Sequence, residues 1–546
     1  MQRNPEHVAR THYEIVVIGG GINGIATAYE AASRGLKTCL VEASDFMSQT
    51  SSNSLKIIHG GFRYLQQANL QRIRESSRER RTLLKIAPHL VQPLTCVLPT
   101  ESLPSLRSRP GLCAGLAVNS LITFDRSKGL PPDKQIPMGS ILSKQELIRL
   151  LGEEFVQTAY TGAAIWHDGM AVNSERLGLA FLHSAVAHGL DALNYCPAVG
   201  FDLKNNKIKG VQVQDALHGN EFTISADFVI NAAGAWAGKL LNLLPSLQER
   251  ELPQCRVMNL VTKRILFPGK QAVGLFDHER AFFFVPWRGY WMIGTDEAAW
   301  QNEPEKLRVS GEEIEQFLHR INKVYPGKPL RREDVCLVHK GFVPGRFKPD
   351  GDFKLLDHQQ GGIDNLLSLQ PVKYTTARDI GQKSIDRYFR KTGKPFNASR
   401  TAELPLEGGM MDSFTDFCEE NLPQLMTETG LKEKTAQHLL NNYGSSYKEI
   451  VHYADLLQPV TGSDEVLEAE IAYAVNEEMA VRLDDAVRRR TVLGSGEQPK
   501  PEILAACAAL MGGLLNWSTE RQEEEIARCV DFYFSGFVLN RYQTQQ

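Results

Sequence analysis

The sequence predicts a mixed α/β and α+β chain built in three parts: a doubly wound α/β domain, a β-rich second domain and an all-α C-terminal domain. Three observations predict it. The chain opens with an apolar strand, a glycine turn, an Ala-rich helix and a second strand (YEIVVIGGGINGIATAYEAASRGLKTCLVEASD, residues 13–45), the succession of a βαβ unit. Strand-like alternation returns over residues 208–214 and 222–230, and a third β-rich block covers residues 256–295. Beyond Gly408 the periodicity turns helical, notably over residues 466–490 and 501–515.

Length supports several cores. At 546 residues the chain exceeds the roughly 250 to 300 residues at which one core stops growing. A composition 42% hydrophobic and 23% charged, with net charge −3, gives no polyelectrolyte signal towards nucleic acid. Nine cysteines without a C-x-x-C pair argue against disulfides and structural zinc and for a reducing, cytoplasmic setting. No metal ligand set is expected. No apolar run reaches the roughly 20 residues that span a bilayer, and no export signal is read in residues 1–12. Peripheral attachment to the inner face of the cytoplasmic membrane stays open, although no basic amphipathic stretch is strong enough to assert it.

Helix is expected over about residues 69–85. Its five arginines, Arg72, Arg74, Arg78, Arg80 and Arg81, are interleaved with Glu75 and Glu79 and read as a solvated helix face. Residues 99–137, rich in Pro, Ser and Gly, read as an irregular excursion. Asn205-Asn206 reads as a turn, and the strand over 222–230 runs directly into Asn231-Ala-Ala-Gly234.

The glycine turn carries the first chemistry. Gly19-x-Gly21-x-x-Gly24, with Asn23 inside it, follows an apolar strand and opens a helix, and Glu42 ends the second strand 18 residues after Gly24. This is a dinucleotide fingerprint. Gly19 permits the tight turn, Gly21 lets backbone approach a pyrophosphate, and Gly24 lets helix and strand pack closely. Glu42 suits ribose hydroxyls and opposes a 2′-phosphate. FAD and NAD share that ADP moiety, so the fingerprint alone does not choose between them.

The next segment does. TSSNSLKIIHGGFRYL (residues 50–65) resembles the flavin-contacting segment of FAD-dependent glycerol-3-phosphate dehydrogenases, within the D-amino-acid oxidase group. The resemblance extends to Ala87-Pro-His89, Asn231-Ala-Ala-Gly-Ala-Trp236, Pro286-Trp287, Ile293-Gly-Thr-Asp296 and Lys373-x-Thr-Thr-x-Arg378, and to helical-domain segments at 468–473 and 484–494. It implies a Rossmann-like FAD-binding domain from residues 1–98, 155–250 and 335–400, a substrate domain from 99–154 and 251–334, and a helical domain over 401–546. It also implies cofactor contacts from Thr50, Ser51, Ser52, Lys56, His59, Gly60, Gly61, Ala233, Gly234, Trp236, Lys373 and Thr375. Gly60 and Gly61 are expected to bring backbone amides to the flavin edge.

By the same resemblance, His59 is the candidate base or hydroxyl-orienting group, and Arg63, Tyr64, Arg346 and Lys373 are the candidate substrate contacts. Arg378 is either a further site residue or a structural partner for a carboxylate. Three departures from the family pattern fall near this pocket. Gly341-Phe-Val-Pro344 puts Val343 where the family carries an arginine, Val257-Met-Asn-Leu260 replaces Lys-Gly-Ser-His, and Pro371-Val372 replaces Gly-Gly before Lys373.

The resemblance therefore implies hydride transfer from a secondary alcohol carbon to flavin N5, giving a ketone such as dihydroxyacetone phosphate, with quinone or oxygen as electron acceptor. A different hydroxy or amino substrate is the alternative that Val343 raises, and a non-catalytic flavin-binding partner protein is a third. Oligomeric state, a homodimer included, is not legible.

Overall fold

The computed structural model describes residues 1–67, 69–102, 107–248, 252–277 and 280–534, with the side chains of Arg63, Gln66, Gln67 and Phe534 outside that description. Two sheets organise the chain. In the first, strands lie in the order Lys354–Asp357, Leu366–Gln370, Glu221–Asn231, His12–Ile18, Thr38–Val41, Asp191–Leu193. From Leu366–Gln370 to Asp191–Leu193 the pairings are parallel. The central strand is apolar on both faces, Ile15, Val16 and Val17 all being fully buried, because helices cover the parallel sheet. Helix Ile22–Ser33 packs against helices Ser174–Ala187 and Ala377–Thr392. A Cβ at Gly381 would stand 2.8 Å from the Ala26 carbonyl, so glycine sets that close helix approach. Asn205 and Asn206, at φ 50° and 59°, form the expected turn between strands Ala198–Lys204 and Lys207–Gln214.

The second sheet runs Val335–Pro344, Gln254–Thr262, Tyr290–Trp300, Ala281–Trp287, Ala272–Phe276, Val91–Thr100, Gly162–Ala171, Ile57–Ile58. Strands Val91–Thr100, Gly162–Ala171 and Val335–Pro344 thus pair in this sheet, whereas the sequence partition groups nearly all of their residues with the first. Antiparallel pairing of 91–100 with 162–171 joins segments too far apart in the chain for a local signal. The expected irregular excursion also contains a helix, Arg109–Ile122, with Ser108 accepting the Gly111 N–H at its N-terminus and Leu112 and Leu116 buried. Apart from the exposed Arg78, the helix 70–86 arginines are not a solvated face. Arg72 and Arg80 are buried, and Arg74 and Arg81 pair with Asp125.

The C-terminal part is helical from Phe414 to Phe534. Helix Pro501–Leu515 matches its expected span. The helix expected over 466–490 ends at Glu477, and the chain resumes as Leu483–Asp485 and a wide turn over Ala486–Arg490. The break serves buried charge. Arg489 and Arg490 both reach Asp45, in the loop after Glu42, at 2.6 and 2.7 Å, and Glu478 takes Arg176 and His183. Burial pushes the Glu478 carboxyl up, but Arg176, His183 and Arg490 outweigh it and hold it at about 2 against the ordinary 4.5. A depressed folded-state pKa gives stability that is present above the ordinary value and lost as pH falls through the folded one. Unfolding free energy is therefore expected to fall between pH 4.5 and about 2, less steeply in Glu478→Gln. Identical slopes in urea titrations across that range would exclude this clamp as the cause.

Candidate active site

One cavity of about 870 Å³ takes residues from both sheets. Gly19, at φ +114°, would place a Cβ 2.6 Å from the Ala232 carbonyl, and a Cβ at Gly24 would stand 1.8 Å from the Gly19 carbonyl. Both glycines are sterically required. At Gly21 a Cβ would meet only Ser51 Oγ, at 3.1 Å, so this position is open to the cavity. The N-cap Gly21 offers no side-chain cap of its own; the Ile22 N–H donates to Ser51 Oγ at 3.0 Å, and the dipole at the helix start favours an anion. Asn23 Oδ1 is buried without a partner among the described residues. Glu42 accepts the Gly20 and Ser44 N–H groups at 2.6 and 2.8 Å; burial raises its pKa and these bonds counteract part of the rise. Gly19, Gly21, Asn23 and Glu42 line the cavity with Thr50, Ser51, Ala233, Gly234 and Trp236.

His59, Tyr64, Lys373 and Thr375 line it too. Pairing of Ile57–Ile58 with Met170 and Gly169 brings His59 beside the buried Asp168, Nδ1 to Oδ2 3.5 Å, and the His59 N–H donates to Thr375 Oγ1 at 3.1 Å. Asp168 also accepts from the Gly60 N–H, Arg80 and Trp166. Burial pushes its carboxyl up; the His59 hydrogen bond and charge, with Arg80 and the Gly60 N–H, outweigh that and hold it below the usual carboxylate range. Lys373 Nζ donates to Ser76 Oγ at 2.7 Å.

Several expected contacts are placed differently. The Gly60 N–H is committed to Asp168 at 2.6 Å, and a Cβ at Gly60 or Gly61 would meet Arg80 Nη1 at 2.0 Å or Ile73 Cα at 2.9 Å. These glycines let helix 70–86 approach, and neither lines the cavity. Nor do Ser52 and Lys56: the Ser52 hydroxyl donates to the Gln49 carbonyl, and the buried Lys56 pairs with Glu175 at 3.0 Å. Arg346 is exposed and outside the cavity lining. The Arg63 side chain lies outside the described residues. Arg378 forms a buried pair with Glu79 at 2.6 Å, the structural role. Val343, Asn259, Pro371 and Val372 line the cavity, so all three departures fall on its wall.

Sequence reasoning missed Asp168 and Arg72, which also lines the cavity. Asp168 had a signal, as a lone acid within the apolar strand AAIWHDGMA. Arg72 had none, standing in an Arg/Glu-rich helix.

Residues 14–367 match the family described as FAD dependent oxidoreductase, and residues 399–522 match the C-terminal domain of alpha-glycerophosphate oxidase. A glycerol-3-phosphate dehydrogenase of Synechocystis sp. is 32% identical over 96% of this chain and 97% of its own length. The chain belongs to the glycerol-3-phosphate dehydrogenase family of FAD-dependent oxidoreductases. FAD is the cofactor of this flavoenzyme. The mitochondrial glycerol-3-phosphate dehydrogenase of Mus musculus is 30% identical over 96% of the flavoenzyme and 73% of the mouse chain. The fold of the Bacillus halodurans glycerol-3-phosphate dehydrogenase complexed with FAD superposes with TM-score 0.76 at 22% identity, covering 99% of this chain and 98% of that one. The open Gly21 turn and the helix start behind it suit the flavoenzyme's pyrophosphate, and the unpartnered Asn23 Oδ1 suits a ribose hydroxyl. Among the described residues, no helix is long and apolar enough to cross a membrane.

Proposed function

We propose that the enzyme oxidises glycerol 3-phosphate at its secondary alcohol to dihydroxyacetone phosphate. The observation that carries the reading is the meeting of a carboxylate-backed histidine, His59 with Asp168, and a lysine, Lys373, in the cavity that the fingerprint lines. FAD bound there supplies a two-electron acceptor for the hydride. Gly19, Gly21, Asn23, Glu42, Thr50, Ser51, Ala233, Gly234, Trp236 and Thr375 hold it, His59 takes the hydroxyl proton, and Lys373 with Tyr64 holds the anionic end. The names of the Synechocystis and mouse relatives support the same substrate.

A less anionic or larger hydroxy or amino substrate is the second reading, because Val343 contributes no cation and Glu297 and Asp350 also line the cavity. Anaerobic titration of the oxidised flavin band separates the two. Bleaching by glycerol 3-phosphate at low concentration supports the first; bleaching only by other hydroxy or amino compounds replaces it with the second.

We further propose a quinone acceptor met at a lipid surface. The outward face of helix Arg109–Ile122 carries Cys113, Ala114, Ala117 and Val118, all exposed, and continues into Leu121 and Phe124, each 76% exposed. Exposed Arg109 and Lys128 bracket it, as an anionic lipid surface favours. At Gly115 this helix approaches Leu65 and Phe62, neighbours of cavity-lining Tyr64. The FAD-loaded enzyme is expected to float with anionic vesicles, and Leu121→Asp with Phe124→Asp to stay behind. Equal flotation of both proteins would reject this face.

A further inference from the structure

Besides Lys373 and Lys239, which pairs with Glu305, the cavity holds a further cation that the family pattern does not place there. Arg72, in the first turn of helix Leu70–Ile86, is 7% exposed and lines the cavity. Its guanidinium carbon lies 3.9 Å from the centre of the Tyr64 ring, and Lys373 Nζ lies 4.6 Å from the same centre. Lys373 Nζ also donates to Ser76 Oγ, four residues beyond Arg72 and therefore on the same face of the helix. Two cations and a phenol ring are thus gathered by one helix face.

The Arg72 guanidinium is poorly satisfied by the protein. Among the described residues it donates no hydrogen bond, and its ion-pair partner is Asp352, with Nε to Oδ1 at 3.6 Å and the aspartate side chain 66% exposed. A guanidinium offers five N–H donors in a planar fork that matches phosphate oxygens. Burying it with one loose, solvent-screened partner is unfavourable unless a ligand supplies acceptors. Val343, where the family carries its arginine, brings no donor to the same cavity.

We propose that Arg72, together with Lys373 and Tyr64, forms a phosphate clamp that replaces the arginine missing at Val343. The clamp makes Arg72 a specificity-determining residue, delivering the cation from helix 70–86 rather than from strand 335–344. It deepens the glycerol 3-phosphate reading and rests on it, yet its anion chemistry can be tested separately.

The test uses FAD-loaded wild type, Arg72→Leu and Arg72→Lys, titrated with inorganic phosphate in a calorimeter and with glycerol 3-phosphate by anaerobic flavin bleaching. Arg72→Leu is expected to weaken both by roughly ten- to a hundredfold, the loss of one or more charge-assisted hydrogen bonds. Arg72→Lys recovers part of it, keeping charge without the fork. If Arg72→Leu loses its flavin, the decision passes to Arg72→Lys, expected to bind phosphate several-fold more weakly than wild type. Phosphate affinity unchanged in the folded variants, or wild type that binds no phosphate, overturns the clamp. Arg72-dependent phosphate binding without bleaching by glycerol 3-phosphate keeps the clamp and removes the substrate reading. Bleaching at equal concentrations in wild type and variants keeps the substrate reading and removes the clamp.

Discussion

Gly21→Val is expected to give a folded but colourless protein, with FAD affinity reduced on the order of a thousandfold. Gly21 has φ −76° and ψ 172°, a conformation any L-residue adopts, and a Cβ there meets only Ser51 Oγ. The polypeptide therefore tolerates the side chain, and the collision falls on the cofactor. Overpacking costs about 1–3 kcal/mol, and each charge-assisted bond lost between a phosphate and a helix N–H costs about 1.5–3 kcal/mol. Together these reach about 4 kcal/mol, or a thousandfold. Gly24→Ala is the contrasting variant, since its Cβ would stand 1.8 Å from a backbone carbonyl and the helix itself must move. Flavin absorbance per chain and thermal unfolding of the apoprotein separate the two effects. A Gly21→Val protein as yellow as wild type would take the pyrophosphate away from this turn.

What could be read from the sequence was local. The βαβ opening is legible because strand, turn and helix follow one another directly in the chain, and Gly19 and Gly24 are forced by backbone contacts, a Cβ at either standing 2.6 or 1.8 Å from a carbonyl oxygen. Arg378 could be read either way, and its buried pair with Glu79 settles it as structural. Contacts made across the chain were not legible. Asp168 reaches His59 only because residues 162–171 pair with both 91–100 and 57–58, a register that no short motif encodes. Gly60 and Gly61 show another contact made across the chain. Their small size lets helix 70–86 approach, with Arg80 against Gly60 and Ile73 against Gly61, a contact the motif does not reveal. Residues 109–122 were obscured by Pro110, Gly111 and Gly115, which mark loops by composition, although Ser108 before Pro110 and the Leu112–Leu116 spacing are helix signals.

His59→Asn is expected to slow anaerobic flavin reduction by about a hundred- to ten-thousandfold, the usual weight of general-base assistance, with FAD still bound. With Nδ1 turned to Asp168 at 3.5 Å, Nε2 is the ring nitrogen left for a substrate hydroxyl. Asp168 is held ionised by Arg80, the Gly60 N–H and the imidazole itself, so it favours the tautomer with the proton on Nδ1 and stabilises the imidazolium formed as the substrate loses its proton. Asp168→Asn retains the shape and an acceptor for the Gly60 N–H but removes that charge, so a smaller loss is expected. A structural role for His59 would also slow reduction if substitution disturbed the cavity. His59→Ala distinguishes the cases, because free imidazole is expected to restore part of the rate only if the ring acts on a proton. Reduction within about threefold of wild type in His59→Asn, well below the range for a base, would place the proton acceptor on another residue.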